Sequence, residues 1–452
     1  MIRTYKEAVK FLEKYIPTSE KKYPGKLGLE RMEYLVKLLG NPQNSLRTIH
    51  VGGTSGKGST ATIIAFLLAT KYKVGLHTSP HLEKVNERIK IVSSIKYQVS
   101  SIKKERRINF SDIADSEFIE LVNEIGPAVE RTEKSKLGAP SYFEILTAMA
   151  FLYYKEQEVD WGVIEVGMGG RFDATNVILP KVSVITNVGL DHTEVLGKTV
   201  EAIARDKAGI IKPEASVVTG VKQKSVIRII EEVSHKRKVI SNMLGEEFGY
   251  KLKKITDKGS YFDYWGKKNF NGLFIPLLGE HQVENATTAI RAIEEGGELE
   301  EEEIRSGLKQ VYIRGRLEIV RRNPLVILDG AHNPDKIKAL VKAIKTIWPE
   351  KKVILVLAIK KGKDAGEMIK LLTKISKLVL LTSYEILADQ GRINSYNPEK
   401  LNKIFLKEGY RGKMEIELDA KRAYERATES VGKDDLILVT GSLYLLGKLK
   451  VL

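Results

Sequence analysis

The sequence contains no cysteine and no long hydrophobic run. Without cysteine among its 452 residues, the chain has neither a disulfide bond nor a thiol nucleophile, which is typical of an intracellular enzyme. No apolar stretch approaches the roughly 20 residues that cross a membrane. Residues 1–15 form an amphipathic pattern with acidic residues and lack a signal-peptide core. We therefore expect a cytoplasmic protein that has no membrane partner.

Charge is the one feature of the composition that suggests a macromolecular partner. The formal net charge of +16 raises nucleic acid as a ligand, because basic proteins bind the phosphate backbone. However, the charge is spread along the chain, and the densest basic segment, residues 96–107, carries a single aromatic residue. We interpret this segment as a solvated loop and expect no nucleic-acid partner. The basic balance fits small polyanionic ligands equally well.

Strands and helices alternate along the chain, which predicts an α/β protein of more than one domain. We predict an N-terminal domain over residues 1–313, with a phosphate loop and a mostly parallel sheet flanked by helices. A composition shift at residues 294–303 precedes a smaller, Rossmann-like α/β domain, predicted over residues 314–452. Ligands of such sheets bind outside the carboxyl ends of the strands. The predicted strands include 46–51, 73–77, 160–166, 182–188, 325–328, 353–358, 378–382 and 436–439, and the predicted helices include 59–72, 140–157, 334–347 and 398–408.

A glycine-rich loop, "VGGTSGKGST" at residues 51–60, lies between the first of these strands and the helix that follows it. Such a loop at a helix N-terminus presents backbone N–H groups to an anion. Lys57 would reach the β- and γ-phosphates, and Ser59 or Thr60 could hold Mg²⁺. The general phosphate-loop pattern fails twice, because Val51 replaces its first glycine and Gly58 separates the lysine from the serine. A tight structural turn is the alternative.

Lys207 lies on the apolar face of another predicted helix. The residues of that face recur at helical spacing: Val200, Ile203, Ala204, Lys207 and Ile211. A buried ammonium group is unfavourable unless it is paired, so a snorkelling side chain or a buried ion pair is the structural interpretation. Burial also lowers the pKa of a lysine, which leaves more neutral amine able to react with CO₂. The resulting carbamate would be an anionic oxygen ligand suited to Mg²⁺.

Ten short motifs occur in a fixed order along the chain: "GGTSGKGST", "HTSPHL", "NERI", "SYFEILTAMAF", "GLDHTEVLG", "ARDKAGIIKP", "LLGEHQVENATTA", "GRLE", "DGAHNP" and "VTGSLYLLG". From about residue 25 to the C-terminus, the chain thereby resembles the folylpolyglutamate synthase/dihydrofolate synthase family of Mur-type ATP-dependent amide ligases. That family has an extra glycine after the phosphate-loop lysine, which accounts for the unusual spacing. Three features depart from it: Ser55 replaces the usual Asn, residues 92–111 are longer and more basic, and residues 26–32 match the pterin-side loop only loosely. The last two departures leave the pterin specificity open.

The resemblance implies a ligase that adds L-glutamate to a folate, to dihydropteroate or to both. ATP would activate the carboxylate as an acyl phosphate, and ADP and phosphate would be released. A ligase of the same class that acts on another acid, such as a modified pterin or a cell-wall precursor, is the nearest alternative. A nucleic-acid-binding ATPase would leave "DGAHNP" and "VTGSLYLLG" unexplained. One chain supplies every predicted site residue, so we expect a monomer.

The resemblance also implies a role for individual residues. The nucleotide would be held by the phosphate loop and by three residues further along the chain: Gly53, Thr54, Gly56, Lys57, Gly58, Ser59, Thr60, Asn285, Arg316 and Asp329. Two Mg²⁺ ions would be held by Ser79, Glu144, His192 and a carbamate on Lys207. Lys57, Lys207 and His332 would be catalytic, and Ser442 would contact the incoming glutamate.

Each assignment has a structural alternative. Ser79 precedes a proline and is also a common turn residue. A lone histidine such as His192 is more often structural than a ligand, and Asn285 is also interpretable as a packing amide in a helix. Glu144 stands among apolar residues, where an unpaired carboxylate is unfavourable, and this favours a metal. The four predicted residues of the second domain are also typical of loops and turns: Arg316, Asp329, His332 and Ser442.

Overall fold

The computed structural model describes residues 1–17, 25–98, 104–389 and 391–449. The chain forms two compact units. The first contains residues 1–253, 261–276 and 282–311, and the second contains residues 254–260, 277–281 and 312–452. The predicted division after residue 313 lies beside the last change of unit, and the sequence did not predict the two short excursions.

The helices of the described ranges begin and end as follows: α1 Tyr5–Glu13, α2 Lys26–Leu38, α3 Lys57–Leu68, α4 Asp115–Glu133, α5 Tyr142–Glu156, α6 Thr193–Leu196, α7 Val200–Lys207, α8 Lys224–Arg237, α9 Glu280–Gly296, α10 Glu301–Lys309, α11 Pro334–Ile347, α12 Ala365–Leu372, α13 Pro398–Lys407, α14 Ala420–Ser430 and α15 Leu443–Leu449. None of them is both long and apolar enough to cross a membrane. Predicted helix 334–347 coincides with α11, where Asn333 caps the N-terminus through its side chain and Pro334 occupies the first turn.

The strands of the same ranges are β1 Arg47–Gly52, β2 Val74–His77, β3 Ile89–Gln98, β4 Lys104–Asp112, β5 Trp161–Glu165, β6 Val182–Ile185, β7 Ser216–Thr219, β8 Ser241–Met243, β9 Gly249–Thr256, β10 Gly259–Trp265, β11 Phe270–Ile275, β12 Glu318–Arg322, β13 Leu325–Leu328, β14 Lys352–Leu357, β15 Ser376–Leu381, β16 Glu385–Ala388, β17 Gly391–Asn394, β18 Lys413–Ile416 and β19 Asp435–Thr440.

The first unit is built on a sheet of eight strands in the order β4-β3-β2-β5-β1-β6-β7-β8. From β2 to β8 the neighbouring strands are parallel, which confirms the predicted mostly parallel sheet. Strands β2, β5 and β6 are buried at every position, because helices cover a parallel sheet. One apolar cluster draws on α1, α2, α4 and α5, and another draws on α7 and α8. A separate sheet has the order β11-β10-β9.

The basic segment at residues 96–107 differs from its prediction as a solvated loop. Its described parts lie in β3 and β4, which pair antiparallel at the edge of the sheet. Residues 99–103 lie outside the described residues. Charged residues are common in edge strands, where they discourage pairing with other chains, so charge alone did not distinguish a strand from a loop here.

The second unit has a six-stranded sheet in the order β12-β13-β19-β14-β15-β18. Only β12 runs antiparallel to its neighbour. The predicted strands 325–328, 353–358, 378–382 and 436–439 correspond to β13, β14, β15 and β19. Their apolar residues pack with α11, α12 and α13 into one core. The polar segments after β13, β15 and β19 all follow carboxyl ends of parallel strands, which lie at one edge of the sheet.

Candidate active site

The glycine-rich loop joins β1 to α3. The helix begins at Lys57 rather than at residue 59, so Lys57 and Gly58 belong to its first turn. Gly56 precedes the helix with a φ of 82°, a left-handed conformation that favours glycine. The backbone N–H of Thr54 donates to the carbonyl of Asn187 at 2.9 Å. The phosphate loop is therefore fixed to the segment that follows β6.

Two glycines of this loop are required by close neighbours. A Cβ at Gly53, whose φ is 141°, would overlap the hydroxyl group of Thr186. A Cβ at Gly56 would lie 2.5 Å from Asn285 Oδ1, so Asn285 lies directly against the loop. Its side-chain nitrogen donates to Gln282 Oε1 at 2.9 Å, which fixes the orientation of the amide. Its contact with a nucleotide stays a prediction.

The extra glycine, Gly58, has a local explanation. A Cβ at this position would lie 3.3 Å from Glu165 Oε2 and 3.4 Å from Glu165 Oε1. The same carboxylate accepts a hydrogen bond from the backbone N–H of Ser79 at 2.9 Å. Glu165, the last residue of β5, thus lies between the phosphate loop and the segment that carries Ser79. The residues predicted from the sequence did not include Glu165, although an acidic residue at the end of the buried strand "DWGVIEV" was a usable signal.

Lys57 and Lys207 donate to the same backbone carbonyl. Each Nζ lies 3.0 Å from the oxygen of Gly53, and Lys207 Nζ is also 3.4 Å from the oxygen of Gly169. Burial, together with the positive charge of Lys57, lowers the pKa of Lys207 from 10.5 to about 7, although Asp206 opposes this. Lys207 is 4% exposed and does not snorkel. The structure therefore brings a partly neutral amine to the phosphate loop.

Ser59 and Thr60 follow in the first turn of α3, and both are buried. The backbone N–H of Thr60 donates to the carbonyl of Gly56 at 2.8 Å, as in a regular helix. Within the described ranges, the Thr60 hydroxyl group has no hydrogen-bond partner. Which of the two hydroxyl groups would face a metal stays a prediction.

Glu144 lies in a different environment from the one expected of a metal ligand. Its Oε2 accepts from Arg31 Nε at 2.6 Å, and its Oε1 accepts from Arg31 Nη2 at 2.7 Å. Both side chains are buried. The sequence argument for a metal was that an unpaired carboxylate would be unfavourable here, and a bidentate arginine removes that premise. The structure places Glu165, not Glu144, in contact with Ser79.

His192 lies in the segment after β6, at the start of the short helix α6. Its φ of 50° is left-handed, and its ring Nδ1 is 3.9 Å from Glu194 Oε1. The backbone N–H of His192 donates to Asp191 Oδ1 at 3.1 Å, and Asp191 raises the pKa of Lys207 through its negative charge. The segment that carries the predicted histidine therefore lies close to Lys207.

In the second unit, the loop after β13 is organised by Asp329. Its Oδ2 accepts from the backbone N–H of Leu317 at 2.9 Å, and its Oδ1 accepts from that of Ala331 at 2.8 Å. A Cβ at Gly330 would lie 2.9 Å from Arg316 Nη1, so the predicted arginine lies against this loop. Burial raises the pKa of Asp329, and the Arg316 charge opposes that rise. Asp329 is thus also a structural residue of its loop.

His332 of the same loop is held at both ring nitrogens. Nδ1 lies 2.8 Å from the carbonyl of Gly330, which must accept its proton, and Nε2 lies 3.0 Å from Lys336 Nζ. Desolvation and the charges of Lys336 and Lys363 lower the pKa of His332 well below its ordinary value. The ring is therefore neutral at physiological pH.

Comparison with protein-family models identifies both units. The Mur ligase middle domain matches residues 51–293, and the Mur ligase glutamate ligase domain matches residues 315–443. The first match contains the phosphate loop, Glu165 and Lys207, and the second contains Asp329, His332 and Ser442. A fold and site of this kind define an ATP-dependent ligase of the Mur type.

Curated relatives and solved structures narrow this class. The chain is 32% identical to a dihydrofolate synthase/folylpolyglutamate synthase of Bacillus subtilis, over 95% of each chain. A folylpolyglutamate synthase structure from Thermotoga maritima is 33% identical, with a TM-score of 0.81 over 99% of this chain and 96% of that one. One from Mycobacterium tuberculosis, complexed with ADP and AMPPCP, is 28% identical, with a TM-score of 0.85 and 98% of each chain covered. The chain belongs to the folylpolyglutamate synthase/dihydrofolate synthase family of Mur ligases.

Proposed function

We propose that this protein joins L-glutamate to a folate, to dihydropteroate or to both, with ATP as the source of energy. The observation that carries the proposal is the convergence of Lys57, Lys207 and Glu165 on one phosphate loop, in a chain that matches enzymes of this name over 95% of its length. We also keep the sequence predictions of a cytoplasmic monomer. Size-exclusion chromatography with light scattering would test whether the protein is a monomer.

The first chemical step converts the oxygen of the carboxylate, a poor leaving group, into phosphate, a good one. A carboxylate oxygen of the folate attacks the γ-phosphorus of ATP, the bond to the ADP oxygen breaks, and an acyl phosphate forms. The backbone N–H groups of the loop and the Lys57 ammonium group would hold the phosphates and neutralise their charge. Lys57 would exchange its present contact with the Gly53 carbonyl for a phosphate oxygen. Such a step depends on positioning and electrostatics more than on covalent chemistry.

The oxygen-rich surroundings of Gly58 fit a hard cation. Glu165 places a buried carboxylate beside the loop and accepts from the backbone N–H of Ser79. The Ser79 hydroxyl group and the His192 imidazole would complete the set. We place Glu165 in this set instead of Glu144, whose oxygens bind Arg31. Bound Mg²⁺ would stabilise the negative charge of the transferring phosphoryl group, and it usually takes only one or two carboxylates alongside water and phosphate. In the described ranges no three acidic or histidine side chains form a ready-made metal site.

In the second step, the amine of glutamate attacks the acyl carbon and phosphate leaves. The attacking nitrogen loses a proton as the amide forms. The neutral ring of His332 is suited to a position near the reacting groups, because its Nε2 has a lone pair that can accept a hydrogen bond. In the structure, Lys336 Nζ donates to this lone pair. Arg316 and Asp329 would contact the nucleotide, and Ser442 would contact glutamate, as the family resemblance implies.

Lys207 would carry a carbamate. Its neutral amine would attack the carbon of CO₂, a nitrogen–carbon bond would form, and one proton would be released. The anionic product would then lie beside Lys57 and would supply an oxygen ligand to the metal. Burial and a low pKa favour this reaction, because only the neutral amine is a nucleophile.

We expect Lys207→Ala to lose nearly all glutamate-dependent ADP release and to regain part of it when a small carboxylate such as acetate is added. A readout independent of turnover is the carbamate itself, which should be visible as planar extra density on Nζ or by NMR with isotopically labelled bicarbonate. Full activity of the alanine variant without any additive would disprove the role. An unmodified amine in a well-resolved structure at high bicarbonate would disprove the modification.

A paired assay tests the function as a whole. The purified protein is incubated with ATP, Mg²⁺, L-glutamate and either dihydropteroate or a reduced folate, and ADP release is measured with and without glutamate. We expect glutamate-dependent release with at least one of the two acids, and the pair distinguishes the two activities. If neither acid supports release but another carboxylate does, the protein is a ligase of this class with a different substrate.

A further inference from the structure

Two buried hydroxyl groups in the second unit make no hydrogen bond of good geometry with the described residues. They belong to Tyr384, which follows β15, and to Thr440, which ends β19. Tyr384 is 5% exposed and Thr440 is fully buried. Folded proteins rarely leave buried hydroxyl groups without partners, because a lost hydrogen bond to water is then not replaced. A bound ligand or an ordered water molecule would satisfy both groups.

The sheet places these two residues near the end of β14, on either side of that strand. Leu357, the last residue of β14, pairs with Leu381 of β15 on one side and with Thr440 of β19 on the other. The segments that carry Tyr384 and Ser442 therefore leave the sheet on either side of the end of β14. The Ser442 side chain lies within hydrogen-bonding reach of the Tyr384 hydroxyl group, and this interaction lowers the pKa of Tyr384 against the larger effect of burial. The three residues thus lie at the carboxyl edge of the sheet, where α/β sheets bind ligands.

The position of Tyr384 is fixed by its neighbours. Its backbone N–H donates to Ser395 Oγ at 3.1 Å, and its carbonyl accepts from the backbone N–H of Ser395 at 3.0 Å. Its ring packs against that of Tyr444, with 6.1 Å between the ring centres. The main chain and the ring of Tyr384 are therefore held in place, with the hydroxyl group beside that of Ser442.

We propose that Tyr384 determines specificity for the incoming amino acid, its hydroxyl group donating a hydrogen bond to a carboxylate of L-glutamate held beside Ser442 and Thr440. The assignment rests on the proposed function and adds to it a residue that recognises the substrate. Burial raises the pKa of Tyr384 to about 12, so the phenol remains a hydrogen-bond donor at physiological pH. A carboxylate is the matching partner, because it only accepts hydrogen bonds.

Tyr384→Phe tests this assignment. We expect the KM for glutamate to rise about ten- to hundredfold, which is the usual effect of losing one hydrogen bond to a charged group. The kcat at saturating glutamate and the KM values for ATP and folate should be unchanged, since the contact is made equally in the ground and transition states.

Two further variants sharpen the test. Thr440→Val removes the second hydroxyl group with little change of shape and should also raise the KM for glutamate. Tyr410→Phe is the matched control, because Tyr410 is equally buried but precedes β18, at the opposite edge of the sheet, where its hydroxyl group donates to Lys413 O. This control should leave the KM for glutamate unchanged.

The outcomes separate the assignment from the function on which it rests. An unchanged KM for glutamate in Tyr384→Phe would overturn the assignment and indicate that a water molecule satisfies the hydroxyl group. A lowered melting temperature with an unchanged KM would show a purely structural role and would overturn it too. If the wild-type protein shows no glutamate-dependent ADP release, the proposed function fails first, before any variant is compared.

Discussion

At the scale of single residues, Gly58 shows how one absent side chain shapes the site. It lies in the first turn of α3 and has ordinary helical geometry, so its backbone does not require glycine. What favours glycine is the carboxylate of Glu165, which lies only 3.3 Å from the position of a Cβ and would have to shift by a few tenths of an ångström. Any larger residue would press on the group that we place beside the metal and Ser79.

We expect Gly58→Ala to lower kcat at least about tenfold, since small displacements of positioned groups have effects of this order or larger. Stability should change by less than about 1 kcal/mol, because a contact this close can relax by a few tenths of an ångström. Turnover and urea unfolding would be measured together. Gly366→Ala is the matched control: Gly366 is also the second residue of its helix, α12, and an added Cβ would make only an ordinary contact of 3.6 Å with Asp364. Wild-type turnover of Gly58→Ala would contradict the placement of Glu165.

At the scale of secondary structure elements, the Arg31–Glu144 pair joins α2 to α5. The two residues are 113 positions apart in the sequence and form two short hydrogen bonds in a buried environment. Arg31 Nη1 also donates to the carbonyl of Leu137 at 3.3 Å, which ties the segment before α5 to α2. Breaking such a pair leaves one buried charge without a partner, whereas replacing both members often restores stability.

We expect Arg31→Met to lower the free energy of unfolding by about 3–5 kcal/mol, and Arg31→Met/Glu144→Met to recover most of that loss. The double variant should keep its kcat, because neither residue is placed at the metal in our proposal. Lys26→Ala is the control, since it breaks only an exposed ion pair with Glu30 on the same helix and should cost well under about 1 kcal/mol. A double variant that is folded but inactive would return Glu144 to the metal site.

At the scale of the whole molecule, buried histidines link folding to pH. His50 is fully buried in β1, and its Nε2 lies 2.8 Å from Thr175 Oγ1. That hydroxyl group donates to Asp173 Oδ1 at 2.5 Å, so Nε2 must carry the proton of the neutral ring. Burial, with a contribution from Lys212, lowers the pKa of His50 from 6.5 to about 3. His281 and His332 are shifted in the same direction.

Between pH 6.5 and pH 3, the unfolded chain therefore binds a proton at position 50 that the folded protein does not bind. The contribution of His50 to stability is complete above pH 6.5 and falls by about 1.4 kcal/mol per pH unit below it. Buried carboxylates whose pKa is raised, such as Asp173, change stability with the opposite sign, so a difference measurement is needed. The free energies of unfolding of the wild type and of His50→Gln, measured with denaturant, should change in parallel at pH 7–8. Between pH 6 and pH 4.5 the free energy of the wild type should fall relative to that of the variant. Equal slopes throughout that range would contradict the assigned shift.

Local patterns in the sequence determined much of this protein. Apolar runs predicted β13 and β19, and the helix predicted over residues 334–347 coincides with α11, which Asn333 caps. These features depend on residues that are close in the sequence, so they can be identified without a structure. The ordered motifs indicated the family in the same way, and its models and relatives confirmed it.

Tertiary structure alone decided which charged groups meet. No pattern in the sequence indicates a partner for Glu144, because Arg31 lies in a helix far earlier in the chain. In the sequence, Glu165 is one residue of a predicted strand, and only the folded structure shows that it lies beside Gly58 and Ser79. The sequence also did not predict that residues 254–260 and 277–281 belong to the second unit. The physical reason is that desolvation and Coulomb interactions depend on distances in space, which hydrophobic periodicity along the chain does not encode.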